Sequence, residues 1–311
     1  MGPRKEGLEG QRQSRLAATS RVTRAGKRLF FGIVGFFLVA GIAPSATGQP
    51  PVDPDEVVIL ARDFARFRRN GTVTEGAVVV NELGGTSVLH RTFEQLSGLF
   101  VSDAIRVRGG EPPGPKFWDL FVNTVLDSKN GMVVMNSGPD PIASGDFPIL
   151  PYPTPAVVTP GSDNVVVRRN DGPVTLAPGA YDAIRVGRSG VLAFTGGTYD
   201  IRVLRVARNA SVFFNSTTTL RIRDRLRVGL RSVLGPNPDV PTFNPRCIVY
   251  EVAGERRVRF GTATVLEGVI SAPLARVVLQ GVVATTSVTG REVVVGADSL
   301  LSPPPPASVC P

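Results

Sequence analysis

The sequence predicts an all-β fold, a single-stranded parallel β-helix (a β-solenoid) with coils of about 18–22 residues, whose handedness the pattern leaves open. Three observations predict it. Ile184-Arg185-Val186 returns as Leu204-Arg205-Val206 and again as Leu226-Arg227-Val228, at spacings of 20 and then 22. Aliphatic and arginine residues alternate within each copy, as Leu220 and Ile222 do about Arg221, which is the period of a half-buried strand. Gly turns separate the copies instead of tight Asn-Gly hairpins, so each strand returns above its predecessor and neighbouring coils stack into one core.

Residues 1–48 read as a signal peptide. Eight Lys/Arg and two acids precede or lie near an apolar run from Leu29 to Ala43, and Ala46-x-Gly48 supplies a small-x-small cleavage site. The run is shorter than the roughly 20 residues a spanning helix needs. Cleavage near Gly48 is the reading, with an uncleaved anchor as its competitor, and membrane contact runs only through that segment. The protein is thus expected to be exported, to the periplasm, the cell surface or the medium.

Charge then excludes a class of partner. Of the formal net charge of +9, residues 1–48 carry +6, and the remainder of the chain holds 27 basic against 24 acidic groups. A near-neutral body with no Lys/Arg-rich run is not a nucleic-acid binder on electrostatic grounds. With 42% hydrophobic and 20% charged residues, it has the apolar content for a core.

Residues 49–146 read as β-rich coils, the first of the solenoid, with an irregular segment. Val57–Gly109 alternates β-rich runs such as Ala77–Asn81 with Gly71, Gly76, Gly84 and Gly85, while Phe117–Asp127 fits a short amphipathic helix or a strand pair. Residues 147–160 hold five Pro in fourteen positions, so they form an extended connector that joins the N-terminal part to the repeat body or packs along it. Residues 161–301 carry the regular repeats. There Leu176-Ala-Pro-Gly-Ala-Tyr181-Asp182 matches Phe194-Thr-Gly-Gly-Thr-Tyr199-Asp200 at a spacing of 18, and Val258, Val277 and Val293 recur at spacings of 19 and 16. Residues 302–311 form a Pro-rich tail that ends beside Cys310. In an oxidising compartment Cys247 and Cys310, the two cysteines of the chain, read as one disulfide, with two free thiols as the alternative.

The order Thr159-Pro160-Gly161, Asn164-Val165, Leu-x-Pro-Gly-x-Tyr, Gly-Gly-Thr-Tyr and Gly268-Val-Ile-Ser-Ala272-Pro273-x-Ala275 resembles an uncharacterised family of exported bacterial β-solenoid domains. Its last part is similar to bactofilins, the polymer-forming bacterial β-helix proteins. The resemblance implies a fold and a cell-envelope setting, and it carries over no catalytic residue.

Chemistry is sparse. His90 is the one histidine, and two Cys with one His make no metal-ligand cluster, so no metal or cofactor is expected. Asp182 and Asp200 occupy equivalent repeat positions. Stacked on adjacent coils they would suit acid/base cleavage of a polysaccharide, or Ca²⁺, and the bland alternative is a pair of turn caps. Arg185, Arg205 and Arg227, with Arg188 and Arg208, form a ladder suited to the carboxylates or phosphates of an acidic glycan. The alternative is a solvated face whose arginines pair with Asp182, Asp200 and Asp224. Thr217–Thr219 and Thr285–Thr286 do not form the regular T-x-T of an ice-binding ladder. The function expected is a structural or adhesive envelope role without catalysis. The rivals are an acidic-polysaccharide lyase or hydrolase and a glycan-binding module on the arginine face.

Overall fold

A computed structural model describes residues 56–81, 84–90, 92–108, 115, 119–127, 150–240, 244–305 and 310. The proposed signal peptide lies outside them, as do Trp118 and most of the tail. Every strand pairing is parallel, and the strands stack in a β-solenoid of about ten turns. The segment read as a helix or a strand pair is a single strand from Asp119.

Each coil presents three β faces. Face A stacks, in order along the axis, β10 (Gly179–Val186), β12 (Gly197–Val206), β14 (Thr218–Val228), β16 (Ile248–Val252), β18 (Val265–Leu279) and β19 (Val283–Val295). Beyond β19 come β1 (Val57–Phe67), β3 (Ala77–Val80), β6 (Leu99–Arg108) and β7 (Asp119–Asp127). Face B uses the second halves of the long strands and adds β8 (Asn164–Val167), β17 (Val258–Phe260) and β4 (Thr86–His90). Face C carries β9 (Pro173–Leu176), β11 (Val191–Phe194), β13 (Ser211–Phe214) and β15 (Val233–Pro236). It continues through the starts of β18 and β19 to β20 (Leu300–Ser302), β2 (Thr72–Val73) and β5 (Glu94–Gln95).

The order along the axis differs from the order along the chain. Residues 57–127, first in sequence, sit beyond the C-terminal coil: Ile59 pairs with Val288 and Phe67 with Val295. The chain must therefore travel back along the solenoid to begin β8, and the Pro-rich connector does so. The Asn81 amide donates to the Leu150 carbonyl at 2.8 Å, and its oxygen accepts from the Leu150 N–H at 2.6 Å. Further along, the Tyr152 hydroxyl donates to Pro273 O. By Gly161 the strap lies so close to β10 that a Cβ there would stand 2.3 Å from Ala180 O. Extended Pro-rich backbone suits this path because it covers about 3.1 Å per residue without internal hydrogen bonds. Beneath its start, outward Leu60, Val79 and Val101 are buried with Leu150 and Tyr152 packed against them.

The B-to-C corner explains the Gly turns of the sequence. Six residues that are not glycine, Ser189, Asn209, Arg231, Ala263, Asp298 and Asn70, occupy equivalent corner positions with φ between 52° and 57°. Each opens the turn by a left-handed step. Two residues earlier the coils pack backbone to backbone; a Cβ on Gly261 would meet the Gly229 carbonyl at 2.7 Å. Inside, Phe194 stacks on Phe214 with ring centroids 5.4 Å apart, and Tyr199 and Tyr250 are fully buried beside them.

Candidate functional site: the arginine face

The outward positions of face B are where the chain concentrates its charge. Strand pairing places Val166, Arg185, Arg205, Arg227 and Arg259 in one register column, so four guanidinium side chains leave the same face on consecutive rungs. Adjacent rungs lie about 4.8 Å apart. Ile184, Leu204 and Leu226 fill the inward positions beside them at zero exposure. The alternation that packs the core therefore also builds the ladder. Arg188 and Arg208 belong to the next structural position, the exposed B-to-C corner, where Arg208 joins Arg185, Arg205, Arg227 and Leu230 around a groove of about 530 Å³.

The acidic residues that might neutralise this ladder pair elsewhere. Asp182 receives Arg202 Nε at 2.5 Å and Nη2 at 2.7 Å, and this hydrogen bonding holds its carboxyl below the ordinary value. Asp200 lies 2.8 Å from Arg221 Nε on face A, and Asp224 lies 3.3 Å from Arg223 Nε. Among the described residues Arg185, Arg205 and Arg227 make no ion pair with a carboxylate at contact distance, and Arg185 acts on Asp182 only as a more distant charge. Further along the face, Arg66 is held below its ordinary value, by burial first and then by Arg276, Arg108 and Arg68. Two uncharged rungs, Val278 and Val294, separate Arg66 from Arg259 in this column, and Arg276 beside it is paired with Glu292 at 3.4 Å.

The stacking of Asp182 on Asp200 expected from the sequence is not formed. Asp200 stands opposite Ala180, and the rung between Tyr181–Ile201 and Ala183–Val203 sets Asp182 opposite Arg202. The cause is a slip of two residues at the C-to-A corner. Leu176 pairs with Phe194; Gly179, three positions further along its strand, pairs with Tyr199, five positions further along the next. Gly196 and Gly197, both at positive φ, take up the extra length. The paired carboxylates that acid/base cleavage would draw on are therefore separate ion pairs. His90 Nδ1 is 2.9 Å from Thr92 Oγ1, a local turn contact. No three His, Cys, Asp or Glu converge among the described residues.

Cys247 and Cys310 are bonded, with their Cα atoms 5.6 Å apart. Sequence reasoning missed a second group of arginines, Arg225, Arg256, Arg257 and Arg259. The signal was present, since Arg225 and Arg227, like Arg257 and Arg259, are spaced by two, but the unusually long step from Arg227 to Arg259 hid their adjacency.

No family model matches the sequence, and no curated protein matches it. Among solved structures it is similar to an ice-binding protein from an Antarctic biological consortium, at 15% identity over 85% of this chain and 96% of that one, with a TM-score of 0.39. An ice-binding protein from an Arctic yeast matches at 15% identity over 83% and 95%, with a TM-score of 0.33. One from the Antarctic ascomycete Antarctomyces psychrotrophicus matches at 11% over 82% and 96%, with a TM-score of 0.31. The β-solenoid itself is established by the strand register described above.

Proposed function

We propose that this is an exported, non-catalytic β-solenoid that attaches to an acidic polymer of the cell envelope through face B. One observation carries the proposal: four arginines in register on consecutive rungs, three of them making no ion pair with a carboxylate among the described residues, while the neighbouring acids are held by other arginines. Guanidinium forks grip carboxylates and phosphates in pairs, and a row of them about 4.8 Å apart favours an extended chain of charges over a small ligand. The disulfide is in keeping with an oxidising compartment. Size exclusion of the purified protein with polygalacturonate tests the reading. Co-elution with polymer of unchanged length is expected at low salt, weakened by Arg185→Ser with Arg205→Ser and by added salt. Shortened polymer would instead make the protein an enzyme, and co-elution indifferent to both salt and the substitutions would remove face B from the account.

A second reading attaches to face C. Its outward row runs Pro173, Val191, Ser211, Val233, Val265, Val283, Leu300 and Thr72 before it reaches Glu94, and Val265, Val283 and Leu300 are exposed. Eight successive uncharged positions suit an ordered repetitive surface such as ice, with the hydroxyls of Ser211 and Thr72 set among aliphatic residues. Inhibition of ice recrystallisation, abolished by Val283→Lys, is the outcome that would favour face C over face B.

A further inference from the structure

The ladder ends in an open depression lined by arginines. Arg225, Arg227, Arg256, Arg257 and Arg259 border about 510 Å³ of it, and they are its lining among the described residues. Its construction is local. Arg227 and Arg259 face each other across adjacent rungs, Arg225 and Arg257 each stand two residues earlier on the same outward side, and Arg256 comes from the loop between β16 and β17. Val258 and Phe260, the inward neighbours of Arg259, are fully buried and fix that strand in place.

Five cations around one space repel each other, and among the described residues none of them makes an ion pair with a carboxylate. Asp224 is turned away to Arg223 and Arg202. Arg259 is held by Gln280 Oε1, at 2.7 Å from Nη2 and 3.2 Å from Nε, so a neutral acceptor orients the guanidinium and leaves its charge uncompensated. We propose that this depression is a binding site for a phosphorylated ligand, one carrying closely spaced phosphoryl groups as a diphosphate does. Charge decides between ligand classes. A carboxylate brings one negative charge, whereas each phosphomonoester brings about 1.5–2 at neutral pH with three acceptor oxygens. The volume falls in the usual range for small-molecule sites, with room for more than one phosphoryl group. This inference rests on reading face B as an anion-binding surface, and it names the ligand class at one place on it.

Calorimetric titration of the purified protein with inorganic pyrophosphate, and separately with polygalacturonate, tests it. Arg256→Ser with Arg257→Ser alters the depression alone, and Arg185→Ser with Arg205→Ser alters the ladder alone; both pairs are solvent-facing, and circular dichroism melts confirm folding. Pyrophosphate affinity is expected to fall at least about tenfold in the depression variant and to hold in the ladder variant. Pyrophosphate that fails to bind, or binds equally well to the depression variant, overturns the site. If pyrophosphate binds as expected while polygalacturonate binds to neither protein, the site stands and the polymer reading of face B falls.

Discussion

Residues on the solenoid surface do opposite electrostatic things within a short distance of each other. Glu267 projects from face C and folds back over the neighbouring rung, its Cδ 3.3 Å from where a Cβ on Gly235 would stand. Burial lifts its carboxyl above the ordinary 4.5, so folding favours the protonated form. Its contribution is therefore complete below the unfolded value and is lost as pH rises through the raised one. Glu267→Gln, neutral throughout, is expected to melt higher than the parent at pH 7 and to match it near pH 4; a variant less stable at pH 7 would mean that the carboxylate has a counter-charge after all. Asp182 behaves in the reverse sense. The hydrogen bond from Arg202 lowers its pKa, so its contribution is present above the ordinary aspartate value and fades as pH falls through the lowered one. These two carboxylates are thus stabilising or costly according to whether an arginine stands opposite on the neighbouring coil.

Among the elements, the strap differs most from its neighbours, because it runs along the axis where every strand runs across it. Its described start is held by Asn81, which is 5% exposed and makes two hydrogen bonds to the backbone of Leu150. Asn81→Ala strands that carbonyl and amide against an apolar patch and should cost about 2–3 kcal/mol. Faster proteolysis within 153–160, where Val157 is 85% exposed, is the accompanying sign; an unchanged cleavage rate would show that the strap is held elsewhere. How much of this is legible in the sequence depends on distance along the chain. The columns Ile184–Leu204–Leu226 and Val258–Val277–Val293 are legible because each member returns after a single coil, and the register pairs them as spaced. The two-residue slip is legible only as the change of spacing from 18 at Leu176 and Phe194 to 20 at Ile184 and Leu204; its position at Gly196-Gly197 is not, since Tyr-Asp, which follows the corner, still recurs at 18. Nor is the seating of β1 on β19, because its apolar positions would pair equally well with any exposed rung. The connector reads as extended from its prolines, but its direction follows only from that seating.

For the solenoid as a whole, the consequence is a set of ties between coils that are not neighbours along the chain, in an architecture that ordinarily lacks them. Stacked coils contact only their neighbours, so a simple solenoid can fray from either end. Here the N-terminal coils cover the C-terminal one, the strap ties their rungs back towards the first coil of the repeat body, and Cys310 anchors the end of the chain to Cys247. The separation of 63 residues between the cysteines makes the disulfide worth about 4 kcal/mol on a chain-entropy account, because the bond removes freedom from the unfolded chain. Reduction should therefore lower the melting temperature by about 10 °C, at roughly 2–4 °C per kcal/mol for a domain of this size. It should leave a single transition, since the strap and the seating of β1 on β19 still couple the two ends. Two separated transitions after reduction would show instead that the bond alone makes the coils unfold together. Pyrophosphate binding in the reduced protein separates these effects from the anion site: the strands that carry Arg225, Arg227 and Arg259 are paired on both sides and hold the short loop with Arg256 and Arg257 between them, so the site should survive reduction until the whole solenoid melts.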